Sequence, residues 1–171
     1  MLTVNEALLD GVGEPAGATL SAAWRSVLVP IDFTASVRRA LQCAVAIAEE
    51  CQGKITLLYV MGRQRADGSS ASVEQSLSAD EARFLVEHLI DGMARWEIPR
   101  SLEFEKTVEM GGHETEAIVQ AARRLASGLI VMGTHEYSWW KHLGKAATAE
   151  RVVRTAPCPV LSVPETAEAQ Q

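Results

Sequence analysis

Cysteine, aromatic side chains, surplus positive charge and long apolar runs are all scarce in these 171 residues. Three cysteines, an odd number without paired spacing, exclude a disulfide scaffold and point to a reducing compartment. Cys43 and Cys51 fall on one expected helix, roughly 12 Å apart along its axis, too far to bridge. With Cys158 they read as buried or half-buried thiols. Lys and Arg number 16 against 22 Asp and Glu, and a net charge of −6 removes the basic face of a nucleic-acid binder. No apolar run approaches the ~20 residues of a membrane span. The opening MLTVNEALLDGVGEPAG has no positive region ahead of an apolar stretch, so no signal peptide is expected. Cytoplasmic residence follows as the expectation.

What is present is a regular alternation. Residues 1–23 are rich in Gly, Ala, Glu and Thr without a stable period and read as a mobile extension. SVLVPI, from Ser26, is an apolar run suited to a parallel strand covered on both faces. From Thr34 or Ala35 to Cys51, the residues Val37, Leu41, Ala44, Val45 and Ala48 follow helical spacing. Gly53 ends that helix and KITLLYV is the second strand. Ser78 and Glu81 have the capping-box spacing, opening a helix that carries Leu85, Leu89 and Met93 and stops before Pro99. SLEFEKTVEM alternates apolar with charged residues, as a less buried third strand does. Thr115 to Leu125 is helical, GLIVM is the fourth strand, Ala147 to Thr155 a helix, and PVLSV the fifth strand. Residues 24–165 thus form one α/β domain, followed by a disordered tail at 166–171. Strands alternating with helices require right-handed crossovers and a parallel sheet covered on both faces, a three-layer sandwich. Ligands in such sheets bind past the carboxyl ends of the strands: here Ile31 and Asp32, Val60 and Met61, Met110 and Gly111, and Met132 and Gly133.

Catalytic signatures are missing. The chain has neither G-x-x-x-x-G-K-[ST] nor G-x-S-x-G, and His135, Glu136 and His142 lack the spacing of HExxH, so no metal is expected. A phospho-receiver would need an aspartate closing the third strand, which ends at Met110-Gly111.

VLVPIDFTASVRRAL, KITLLYV, VEMGGHETEAIVQAARRLASGLIVMGTH and the ending PCPVLSVP together resemble the universal stress protein family, over nearly all of Ser26 to Pro164. The resemblance implies an open five-stranded parallel sheet of order 3-2-1-4-5, the adenine nucleotide α-hydrolase-like fold. It also implies a non-catalytic stress-response protein that dimerises through the last strand, at Val160, Leu161, Ser162 and Val163. Protein contacts are expected at the dimer or at Trp139 and Trp140, a pair read first as packing over the loop that bears them and alternatively as a contact for a partner.

Nucleotide-binding members carry G-x-x-G, nine residues, then G-[ST]. After Met132, Gly133 supplies the first glycine and Thr134 and His135 follow, but Glu136 takes the second glycine's place, Ala146 the third's and Ala147 the hydroxyl's. A hydroxyl bonded to phosphate contributes on the order of 1.5–3 kcal/mol, and Ala147 cannot supply it. Glu136 forfeits the glycine's free backbone and sets a carboxylate near the phosphates, where like charges ~4 Å apart repel by about 4 kcal/mol at an effective dielectric of 20. Weak or absent ATP binding is the expectation. The alternative is a sensor that binds ATP or AMP at the ends of the first and fourth strands. There Asp32 meets adenine or ribose and the Val60 backbone assists; otherwise Asp32 is a polar strand end that caps the next helix. Restoring Glu136→Gly, Ala146→Gly and Ala147→Ser together should strengthen ATP binding by ~10–100-fold, the equivalent of one such hydrogen bond, in calorimetry. A folded triple variant with unchanged affinity would show that the loop is aligned wrongly.

Overall fold

The computed structural model describes residues 2–3, 20–61, 78–110, 112–134 and 148–164. Its elements are β1 (Leu2–Thr3), α1 (Leu20–Ala23), β2 (Ser26–Ile31), α2 (Ala35–Glu50), β3 (Lys54–Met61), α3 (Ala79–Glu97), β4 (Phe104–Met110), α4 (Glu114–Arg124), β5 (Leu129–Thr134), α5 (Thr148–Thr155) and β6 (Val160–Pro164). One sheet runs β1-β6-β5-β2-β3-β4. Strands β2 to β6 are all parallel. Counted among themselves they have the order 3-2-1-4-5, so the expected architecture is the observed one.

Side chains alternate across the sheet and build two cores. Val27, Val29 and Ile31 of β2, with Leu129 and Val131 of β5, face α2 and α3. Leu28, Ile130 and Met132 face α4 and α5 instead. Leu28, Leu57, Leu58, Leu129 and Ile130 are fully buried, and each such side chain contributes about 1.5–3 kcal/mol over an exposed one. Stability is therefore concentrated in the middle strands, whereas β4 exposes Phe104, Glu105 and Lys106. At the amino ends of the strands the backbone of Ala23 passes so close to Gly128 that a Cβ there would lie 1.6 Å from its carbonyl oxygen.

The sixth strand was not anticipated. Leu2 pairs antiparallel with Leu161, and Thr3 with Val160. Within the stretch expected to be a mobile extension, these residues and the short helix α1 are described, and the others lie outside the described residues, as does the tail at 166–171. The physical reason is the open row of backbone groups on β6, which any extended segment within reach can satisfy.

A second difference lies on α3. Its start is as expected: the Ser78 hydroxyl accepts the Glu81 N–H at 3.3 Å and the Glu81 carboxylate accepts the Ser78 N–H at 2.8 Å. Bonds from the Ser78 hydroxyl and backbone hold the Glu81 carboxyl below the usual carboxylate range. The buried face, however, is Ala82, Val86, Ile90 and Ala94. Leu85 and Leu89 are exposed, Leu89 to 49%, and Met93 is only partly buried. Two apolar stripes run along this helix at helical spacing, and the slimmer one faces the sheet because Ala82 and Ala94 let the helix approach closely. The outward stripe carries Phe84, stacked on His88 at 5.6 Å, and Trp96.

Replacement of Ile90 by alanine should therefore lower stability by about 2–5 kcal/mol, and Leu89→Ala should stay within about 0.5 kcal/mol. Chemical denaturation of the two variants reads the difference. The opposite ranking would show that α3 packs by its other stripe.

Candidate functional site

At the carboxyl ends of the central strands the ladder changes character. β2 pairs with β3 along its whole length, from Ser26↔Lys54 to Ile31↔Tyr59. With β5 it registers only Val27↔Leu129 and Leu28↔Ile130. Strand order reverses at this junction, and the crevice beyond it is where open α/β sheets hold ligands.

The start of α2 lies against Gly133 at that end of β5. Ser36 is 1% exposed. A Cβ on Gly133 would meet its carbonyl carbon at 2.7 Å, its carbonyl oxygen at 2.8 Å and its hydroxyl at 2.9 Å. Helix packing alone therefore requires glycine at this position, whether or not a phosphate ever approaches it. Asp32 is exposed at the tip of β2. Its Oδ1 accepts the Thr34 N–H at 3.0 Å and the Thr34 hydroxyl at 2.5 Å, and that hydroxyl lies 3.0 Å from the Ser36 hydroxyl. Thr34 is the N-cap of α2 but makes no capping bond with its own side chain. Asp32 organises the turn that leads into α2 instead.

The remaining candidates divide by position. Ile31 and Met132 are buried, and Val60, Gly133 and Thr134 are half-buried at the same end of the sheet. His135, Glu136, Ala146 and Ala147 lie outside the described residues, as do Trp139, Trp140 and His142. At the far edge Val160 and Val163 are buried, Leu161 and Ser162 half-buried. The N-terminal strand pairs with Val160 and Leu161.

One feature escaped the sequence reading. Phe33 has a φ of 60°, an unusual conformation for a bulky residue, and its ring lies 5.3 Å from that of Tyr59 at an interplanar angle of 36°. Phe33 remains 38% exposed, so the pair offers an aromatic surface beside Asp32. Only the position of an aromatic residue directly after the strand-end aspartate hinted at it, because the register that brings Tyr59 level with Ile31 is tertiary.

Chemically the described site can stack a planar group and accept hydrogen bonds. Among the described residues it holds no activated nucleophile, since the Ser36 hydroxyl is buried beside that of Thr34; at the opposite end of the strands, burial pushes the Cys158 thiol up to about 11, leaving it protonated at neutral pH. Among the described residues no three metal-ligating side chains converge.

The model of the family described as "Universal stress protein family" matches residues 23–164. Universal stress protein YxiE of Bacillus subtilis is 27% identical over 154 residues, covering 82% of this chain and 99% of its own length. A solved universal stress protein family member from Burkholderia pseudomallei, 25% identical, superposes with a TM-score of 0.59 over 84% of this chain and 98% of its own. The universal stress protein from Archaeoglobus fulgidus in complex with dAMP shares the fold at 18% identity, with a TM-score of 0.53 over 82% of this chain and 98% of its own.

Because Gly133 is constrained by Ser36, Gly133→Ala should cost about 1–3 kcal/mol of stability in the absence of any nucleotide, as overpacking does. Thermal unfolding of the ligand-free variant measures this. An unshifted midpoint would mean that α2 does not press on β5 as described.

Proposed function

The chain belongs to the universal stress protein family, and from that premise we propose that it is a non-catalytic, cytoplasmic stress-response protein that acts as a homodimer through protein contacts and binds ATP weakly or not at all. The observation that carries this reading is the contact between Gly133 and Ser36. It gives the one surviving glycine of the phosphate motif a packing role, while Glu136, Ala146 and Ala147 depart from the motif in sequence. The dimer forms through β6 at Val160, Leu161, Ser162 and Val163. Since Leu2 and Thr3 pair with that edge, a second copy must displace the N-terminal strand to use it fully.

The second reading is an adenine-nucleotide sensor, with ATP or AMP at the ends of β2 and β5 among Ile31, Asp32, Val60, Met132, Gly133 and Thr134. The Phe33–Tyr59 pair beside Asp32 favours it, since an aromatic surface next to a hydrogen-bond acceptor suits a purine, and base–aromatic stacking contributes about 1–3 kcal/mol. The Archaeoglobus relative holds dAMP.

Calorimetry of the full chain with ATP and AMP separates the two. Weak or no heat is expected; a dissociation constant below ~10 μM, about −7 kcal/mol, would establish the sensor. Sedimentation velocity addresses assembly. Leu161→Lys should yield monomer, and removal of residues 1–19 should raise the dimer fraction. A dimer indifferent to both changes would place the interface elsewhere.

A further inference from the structure

On the face of the sheet opposite α2 and α3, helices α4 and α5 flank an open groove of about 350 Å³. The two helices begin side by side, where the Thr148 hydroxyl donates to the Glu114 carboxylate at 3.1 Å. Glu116, Gln120 and Arg123 follow one another at helical spacing along the α4 wall, and Arg151 and Arg154 line the α5 wall. Val119 supplies the apolar floor between them.

The charges of this groove are not balanced from within. Several cations elsewhere in the fold are matched by carboxylates, as in Lys54–Glu105, Lys106–Asp91 and Arg124–Glu109. Arg154 is likewise paired, with Glu150 at 2.7 Å. Among the described residues Arg123 and Arg151 form no ion pair, and neither does Glu116, although all three line one cavity. Glu116 and Arg123 stand two helical turns apart, about 10.5 Å along the axis, and Arg151 and Arg154 line the wall across from them. Two uncompensated guanidinium groups on an acidic chain suit a dianion, and the planar guanidinium fork suits phosphate geometry. The Glu116 carboxylate and the Gln120 amide on the α4 wall suit hydroxyl groups. A cavity of this volume lies in the lower range of small-molecule sites, about 300–1,000 Å³.

We propose that the α4–α5 groove binds a small phosphorylated hydroxy compound, its phosphate between Arg123 and Arg151 and its hydroxyls on Glu116 and Gln120. This site shares no residue with the strand-end crevice, so it stands whether or not that crevice takes a nucleotide.

Glucose 6-phosphate and inorganic phosphate serve as probes, titrated separately into the full chain at low salt and followed by amide chemical shifts. Glucose 6-phosphate should saturate, move the Val119 and Gln120 resonances, and bind more tightly than inorganic phosphate by about 5-fold or more, the equivalent of one hydrogen bond. Arg123→Gln with Arg151→Gln should weaken it by about 10-fold or more, as expected for loss of charge-assisted bonds. Arg100→Gln, on the exposed turn after α3, should leave it unchanged. Shifts confined to the strand ends would overturn the proposal, as would equal binding of the two probes, an equal loss in Arg100→Gln, or no saturation in the millimolar range. Shift mapping on the unaltered chain decides the matter even if the double variant fails to fold.

Discussion

The close approach of α2 to β5 is the constraint on which the rest depends. The helix must cross the junction where β2 and β5 stop pairing, and it can do so only because Gly133 leaves room for the backbone of Ser36. Interiors are packed at crystal-like density, so this contact sets the depth of α2 and with it the path of the chain from Asp32 to Thr34. The Asp32–Thr34–Ser36 hydrogen bonds hold that path. Phe33, between them, is left with a positive φ and a ring turned onto Tyr59.

This arrangement joins structure and binding at one place. A residue that serves the fold cannot be read as evidence of ligand merely because a ligand motif would also use it. Gly133 is such a residue, and Asp32 is another, since its carboxylate is engaged by the turn. The aromatic pair differs in leaving part of its surface open, with Phe33 38% exposed.

The edges of the molecule show how surface chemistry follows from sheet geometry. An open strand edge presents unpaired backbone groups, and β6 has part of its edge covered by Leu2 and Thr3. Any further strand pairing there would compete with Leu2 and Thr3 for the same groups. On the outer faces, α3 turns apolar side chains to solvent and the α4–α5 groove leaves two arginines without carboxylate partners among the described residues. Neither is needed by the core, which is complete beneath both helices.

Much of the architecture was legible in local pattern. The run SVLVPI coincides with β2, the capping box marks the start of α3, and the alternation of strand and helix leads to a parallel three-layer sheet, because these follow from spacings within a few residues. The departures at Glu136, Ala146 and Ala147 are likewise matters of sequence alone. What tertiary structure decided are the choices between locally equivalent options: which apolar stripe of α3 faces the sheet, which segment covers β6, and how closely α2 approaches Gly133. Each depends on distances between residues far apart in the chain, and periodicity along the chain carries no information about them.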